Sequence, residues 1–290
     1  MHFGVFWVSR VDIKGDKGMN WPLIRAVIRR DLTLVSRNRG VVLPMFLVPL
    51  IMLVALPALA AFVPSAVSMP GTSLSDLESF MARMPAGLQR ELAGYNEVQR
   101  VVVLMLVYFF APMYLIVPLM VASVIAADSF AGEKERKTLE ALLYTPLSQS
   151  ELLLGKMLSA WLPALAVGWV GFVLYSITAN LAAWPVMGRL FFPTLTWCVL
   201  AVWVAPAVAG LGLGLSVLVS ARVRTFQEAY QLGGVVVLPI VALVAAQAAG
   251  VLYFDVWLAL ALGAVIWGVA GGLLWLGARG FRSEALLTQV

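Results

Sequence analysis

The 290-residue chain is too apolar for a soluble globular protein. Hydrophobic residues make up 62% of the chain and charged residues only 12%, whereas soluble domains contain roughly 45–50% apolar and about 25% charged residues. A single cysteine, Cys198, and a single histidine, His2, exclude an intramolecular disulfide and a His/Cys metal cluster. The apolar stretches are continuous and do not alternate, which argues against a β-barrel. We therefore predict an all-α integral membrane protein.

The N-terminal region precedes any apolar span. Residues 1–18 fit no element and are predicted to be either a mobile extension or a stretch upstream of a natural start at Met19, and residues 19–290 are predicted to form one transmembrane domain. From Trp21-Pro22, apolar residues alternate with Arg25, Arg29, Arg30 and Arg37. This pattern predicts an amphipathic helix at the cytoplasmic membrane interface. The alternative is a basic linker without regular structure.

Six charge-free stretches are long enough to cross a membrane, since a spanning helix needs about 20 apolar residues. We predict spans at residues 40–64, 101–127, 157–180, 190–219, 232–254 and 256–277. If the N-terminus is cytoplasmic, the segments on that side hold 16 of the 20 Lys and Arg residues. The positive-inside rule therefore predicts that both termini lie in the cytoplasm. This placement also explains the net charge of +5 without nucleic acid as a partner.

Residues 65–99 form the first external loop in this topology. Apolar residues at helical spacing on both sides of Pro85 and Gly87 predict two short amphipathic helices. They either cover the mouth of the bundle or form a substrate gate.

The first large cytoplasmic loop, residues 128–156, has the most informative pattern. From Glu133 to Tyr144 the spacing of Leu139, Leu142 and Leu143 predicts a short amphipathic helix. Thr145-Pro146 ends it, because the residue before proline avoids the helical conformation. Ser148 and Glu151 then form a capping box that starts the next helix. A short rigid helix followed by a sharp break at the membrane surface could transmit force from a soluble partner to the spans. The alternative is an interfacial helix with no partner.

The predicted spans lack the groups that other mechanisms need. They contain no Asp, Glu, Lys, Arg or His between their ends, whereas proton-driven transporters and intramembrane hydrolases usually use such residues. The chain also has no phosphate-binding loop of the G-x-x-x-x-G-K-S/T type. We therefore expect no catalytic, cofactor-binding or metal-binding residues, and energy for transport would have to come from a partner.

The run from Gly132 to Ser148, Gly-Glu-Lys-Glu-Arg-Lys-Thr-Leu-Glu-Ala-Leu-Leu-Tyr-Thr-Pro-Leu-Ser, closely resembles the signature of permease subunits of type-2 ABC exporters. The family's Gly-Lys pair follows at Gly155-Lys156, and the loop 220–231 resembles the family's second cytoplasmic loop. The resemblance also covers the layout of interfacial helix, six spans and external segment.

This resemblance implies a coupling helix that docks into a separate ATP-binding subunit. The implied docking residues are Gly132, Glu133, Glu135, Arg136, Lys137, Glu140 and Tyr144, with lesser contacts from Arg222, Arg224 and Glu228. Thr145, Pro146, Ser148 and Glu151 would form the structural break that follows. ATP and Mg would bind to the partner, and two permease copies, identical or different, would assemble in the inner membrane lipid.

The resulting hypothesis is a permease that moves a substrate outward with ATP hydrolysed by another subunit. Three alternatives remain at this stage. The first is an anchoring or assembly protein of the same fold that does not transport. The second is a partner-independent secondary transporter, and the third is a membrane-embedded enzyme.

Overall fold

A computed structural model describes residues 19–61, 86–137, 148–220, 222–223, 225–249 and 252–287, and side chains up to Arg279. These residues form helices and no strands. Six helices are long and apolar enough to cross a membrane, which confirms the predicted all-α membrane architecture. In chain order the helices are α1 (Trp21–Arg37), α2 (Arg39–Ala60), α3 (Ala86–Leu92), α4 (Glu97–Glu135), α5 (Gln149–Met187), α6 (Leu195–Ser220), α7 (Phe226–Gln247) and α8 (Val256–Leu287).

Helix α1 confirms the helix predicted from the basic N-terminal pattern. Its start is capped by Asn20, whose side chain accepts from the Leu23 backbone N–H. Ile24, Val27, Asp31 and Val35 are buried, and their spacing places them on one helix face. This face packs against α5, where Gly155 leaves so little room that an added Cβ would lie 3.0 Å from Val27.

Helices α4 and α6 form the centre of the bundle. In the most apolar 18-residue stretch of each helix, 72% of the residues are buried in α4 and 67% in α6. The corresponding share is 17% in α7 and 17% in α8. Gly212 of α6 lies so close to α4 that an added Cβ would be 2.9 Å from the Leu119 carbonyl oxygen. Helix α5 crosses α4, and the Tyr114 hydroxyl donates to the Gly168 carbonyl at 3.1 Å. The remaining apolar surface of α7 and α8 faces outward, as expected in lipid.

The helices extend beyond the predicted spans at several ends. Helix α5 begins eight residues before the predicted span, because the predicted capping box at Ser148 and Glu151 is present and its hydrogen bonds start the helix. Helix α7 begins at Phe226, after the Thr225 side chain accepts from the Glu228 backbone N–H. Helix α4 continues past Ala127 through a π-helical turn, Asp128–Gly132. The hydropathy of the sequence therefore identifies the lipid-facing part of each helix, whereas polar capping residues determine where the helix begins.

The structure corrects the predicted start of the helix in the first cytoplasmic loop. Residues Glu133–Glu135 continue α4, so the predicted start of a separate helix at Glu133 is wrong. The chain turns at Arg136–Lys137, where Lys137 adopts a φ of 55°. The rest of that predicted helix, together with Thr145 and Pro146, lies outside the described residues.

The external segment is described in part. Helix α3 confirms the second of the two predicted short helices, and it buries Leu88 and Leu92. The first lies outside the described residues. Helix α4 then starts with a capping box formed by Asn96 and Gln99.

Candidate functional site at the charged end of the bundle

The charged end of the bundle is the end where α1, the last turns of α4, the first turns of α5 and the start of α7 meet. Its centre is Lys156, whose side chain is fully buried. The Lys156 ammonium donates to Glu133 Oε2 at 2.6 Å and to the Ser129 carbonyl oxygen at 2.8 Å. It also lies 3.6 Å from Asp31 Oδ2. One lysine on α5 therefore joins α4 and α1.

Arg30 completes this junction from the side of α1. A single guanidinium nitrogen, Nη1, lies 3.0 Å from Asp31 Oδ1 and 3.0 Å from Glu133 Oε1. Two cations thus balance two carboxylates, and we call Arg30, Asp31, Glu133 and Lys156 the junction cluster. Asp31 and Glu133 are each only 2% exposed. Removing one member would therefore leave an opposite charge buried without compensation.

Burial perturbs the acidity of Asp31. Burial raises the pKa of the Asp31 carboxyl above its usual value, and the nearby Lys156 opposes that rise. Desolvation thus outweighs the attraction of the neighbouring cations at this carboxyl. Ser159 Oγ lies 3.3 Å from Asp31 Oδ2 and adds a polar neighbour inside the helix contact.

A second ion pair supports the end of α4. Arg136 Nη1 donates to Asp128 Oδ1 at 3.0 Å, and Asn38, before α2, approaches the same oxygen at 3.4 Å. Gly132 lies under this pair, since an added Cβ would be 2.9 Å from Asp128 Oδ1. A side chain at position 132 would therefore displace the pair, which gives a local reason for glycine there.

Glu135 connects the end of α4 to the start of α7. Its Oε2 accepts from the Phe226 backbone N–H at 2.9 Å, so it satisfies one of the free donors at a helix N-terminus. Its negative charge is also favourable there because of the helix dipole. The two predicted cytoplasmic loops are therefore in direct contact.

Helix α1 is attached to the start of α5 as well. The Asn20 backbone N–H donates to Glu151 Oε1 at 2.7 Å. The other carboxylate oxygen of Glu151 accepts from the Ser148 backbone N–H at 2.9 Å. Ser148 and Glu151 thus cap α5 and also tie it to α1, a contact that the sequence pattern did not indicate.

The structure divides the predicted docking residues into three groups. Gly132 and Glu133 are buried, and the Glu133 carboxylate is used within the chain. Glu135, Arg136, Lys137, Arg222 and Glu228 are exposed at the charged end. Glu140, Tyr144 and Arg224 lie outside the described residues. For Glu133 the geometry thus favours an internal role over contact with a partner.

Sequence reasoning missed three members of the junction cluster, namely Arg30, Asp31 and Lys156. Asp31 had a usable signal, because it lies four residues after Val27 and four before Val35, on the apolar face of α1. An acid on such a face predicts a buried partner of opposite charge. The Gly155-Lys156 pair of the family motif marked Lys156 but not its partners, because these come from segments that are distant in the sequence.

The arrangement ties several helices together at the charged end. The junction cluster fixes α1, α4 and α5 to one another, and Glu135 adds α7. Exposed charges of both signs lie on the same elements, where a soluble partner can reach them. A push on these exposed residues would thus reach several spans together.

Comparison with known proteins places the chain in a family. The sequence model of the family described as ABC-2 family transporter protein matches residues 25–258, more than half of the chain. Among curated proteins, none matches the chain. The matched region includes the junction cluster, the exposed residues of the charged end and five of the six spans. The chain therefore belongs to the ABC-2 family of transporter proteins and is a multi-pass permease of the ABC type.

Proposed function

We propose that this permease is the membrane half of an ATP-driven exporter, and that a separate ATP-binding cassette subunit docks at the charged end. The observation that carries the proposal is the buried contact of Lys156 with Glu133 and Asp31. This contact connects the proposed docking surface with the helices that would move during transport. ATP and Mg would be bound by that partner, and this chain would perform no covalent chemistry.

The docking surface consists of exposed residues from two loops. Glu135, Arg136 and Lys137 end α4, while Arg222 and Glu228 flank the start of α7. The contact between Glu135 and the Phe226 backbone holds the two groups side by side. Charges of both signs favour a partner with a complementary pattern, which gives specificity and orientation more than raw affinity. The segment 138–147, with Glu140 and Tyr144, would complete this surface.

Force would pass from the docking surface into the spans through the junction cluster. Closure of the ATP-bound partner would push the end of α4. Lys156 would carry this displacement to α5, and Arg30 would carry it to α1. A second copy of the permease, or a related chain, would provide the other wall of the substrate path. By the positive-inside rule, the charged end and both termini would lie on the cytoplasmic side of the membrane, which we propose is the inner membrane.

The direct test is reconstitution of this chain with candidate ATP-binding cassette subunits from the same genome. We expect the complex in liposomes to hydrolyse ATP and to move an apolar fluorescent dye, whereas the chain alone should do neither. The double variant Lys137→Glu/Arg222→Glu should lose dye movement, because it reverses two exposed charges on the docking surface. Neither side chain has an ion pair or hydrogen bond among the described residues, so folding should be unaffected.

The matched control is Arg90→Glu/Arg189→Glu, which makes the same change of charge at the opposite end and should leave transport unchanged. Dye movement by the chain without any ATPase would instead indicate a secondary transporter. A complex whose ATP hydrolysis never responds to any dye would favour the anchoring protein. An equal loss of dye movement in both double variants would show that transport depends on the overall charge of the protein. That result would contradict docking at the charged end.

A further inference from the structure

A groove with a volume of about 600 Å³ separates the outer face of α1 from the first turns of α5. Its walls are mostly apolar and include Trp21 and Ile28 from α1 and Leu158 and Leu162 from α5. Trp21 is half exposed and Leu162 is 45% exposed. None of the four junction residues lines this groove, so it takes no part in the contacts described above.

Two arginines line the same groove. Arg25 and Arg29 are four residues apart on α1, and both are exposed. Within the described residues neither has a carboxylate partner, whereas the adjacent Arg30 turns inward to Asp31 and Glu133. Like charges at this spacing repel each other on a helix. An anion between them would remove this repulsion, so the groove is suited to a negatively charged ligand.

The apolar wall continues out of the groove along α5. Leu162, Trp169 and Val173 are exposed, and their spacing of seven and four residues places them on one side of the helix. An apolar chain that starts at Leu158 could therefore follow α5 into the membrane. A tryptophan at the entrance, Trp21, is typical of the level where lipid headgroups begin.

We propose that this groove binds one anionic phospholipid. Its phosphate lies between the guanidinium groups of Arg25 and Arg29, and one acyl chain lies along Leu158 and Leu162. Arginine suits this role because its planar fork can bind two phosphate oxygens at once. A free phosphate would leave the apolar wall uncovered, and an acidic protein would not need a wall that continues along a spanning helix. The site is independent of the proposed docking of an ATPase.

The test is a titration of the purified permease with phosphatidylglycerol, read by native mass spectrometry. We expect one phosphatidylglycerol to stay bound at a collision energy that removes phosphatidylcholine. Since each arginine near an anionic lipid contributes about a fivefold gain in affinity, Arg25→Gln/Arg29→Gln should weaken phosphatidylglycerol binding about 30-fold. Thr33→Glu should also weaken it, because a carboxylate four residues after Arg29 would occupy that guanidinium.

The control is Arg37→Gln/Arg39→Gln, which removes two exposed charges close to the end of α1 but outside the groove. It should retain phosphatidylglycerol, and millimolar inorganic phosphate should not displace the lipid. Equal loss of lipid in the control, equal binding of phosphatidylcholine, or displacement by phosphate would overturn the proposal. So would an Arg25→Gln/Arg29→Gln variant that keeps its lipid but loses a copurifying acidic protein, since the groove would then be a protein contact.

Discussion

At the scale of single residues, the structure assigns an unusual position to Lys156. Its ammonium is fully buried and lies between two carboxylates from different helices. Burying an ion costs several kcal/mol, and only good geometry offsets that cost. Such a contact is therefore better suited to fixing the relative positions of helices than to adding stability. This is the property that a coupling element requires.

Lys156→Met should strongly destabilise the permease. The variant leaves Asp31 and Glu133 buried with only the partly exposed Arg30 as counter-charge. Loss of one partner of a buried ion pair costs about 3–5 kcal/mol. This effect can be measured by heating the purified protein in detergent and recording the fraction that remains monodisperse at each temperature. Lys137→Met is the control, because Lys137 is exposed and surface changes usually stay within about 0.5 kcal/mol.

A double variant tests whether the loss comes from the ion pair itself. In Glu133→Gln/Lys156→Met both charges of the 2.6 Å pair are gone, so no new uncompensated charge is created at position 133. The loss in the double variant should be smaller than the sum of the two single losses. Additive losses would show that Glu133 and Lys156 act independently and would contradict the junction.

Asp31 predicts a dependence of stability on pH. Burial raises its pKa in the folded chain, despite the opposing effect of Lys156. The stability that Asp31 contributes is therefore present below its usual pKa and is lost as pH rises through the raised pKa of the folded state. The Asp31→Asn side chain stays neutral at every pH, so the variant does not lose this stability as the wild type does. The unfolding temperature of the variant minus that of the wild type should therefore increase from pH 4 to pH 7. A difference that decreases over this range would contradict the assignment.

At the scale of helices, the contact between α4 and α6 depends on Gly212. An added Cβ would lie 2.9 Å from the Leu119 carbonyl oxygen and 2.6 Å from Ser123 Oγ, and a backbone atom cannot move aside easily. Gly212→Ala should therefore separate the two central helices and lower the unfolding temperature. Gly268→Ala is the control, because the space around Gly268 is open and alanine favours a helix by about 1 kcal/mol. Equal destabilisation of both variants would argue against close packing at Gly212.

The six spans and α1 could be predicted because each depends on a local pattern. Apolar length, an amphipathic period and the capping box at Ser148 are all written in consecutive residues. The end of α4 could not be predicted this way. Glu133 looks like the start of a polar helix in the sequence, but Lys156 and Arg30 neutralise its charge and allow the helix of the second span to continue through it.

The residues of the candidate site were predicted in its exposed part and at Gly132 and Glu133, but the contacts of the junction cluster were not. The resemblance of the loops identified Glu135, Arg136, Lys137, Arg222 and Glu228, and the structure exposes all five at one end. Their docking role remains a prediction. The buried part depends on contacts between residues 31, 133 and 156, whose separation in the sequence exceeds any helical period. The position of Asp31 on an apolar helix face indicated a buried partner, but did not identify it.

At the scale of the whole molecule, the fold separates two ends whose orientation can be measured. With Cys198→Ala as background, Arg37→Cys should resist a membrane-impermeant maleimide in intact cells and react once the membrane is opened. Glu97→Cys, an exposed position at the other end of α4, should react in intact cells. The physical reason is the concentration of Lys and Arg at the charged end. The reverse labelling pattern would place that end outside the cell and exclude docking of an ATPase there.

The central claim is that energy enters this permease from a separate ATPase at the charged end. Site-specific photo-crosslinking in native membranes tests it most directly, with benzoylphenylalanine in place of Lys137 or Glu228 and, as control, in place of Glu97. We predict a crosslinked product with an ATP-binding cassette subunit from positions 137 and 228, changed in yield by ATP, and none from position 97. Crosslinks to such a subunit from position 97 alone, or transport by a permease that never yields this product, would contradict the account.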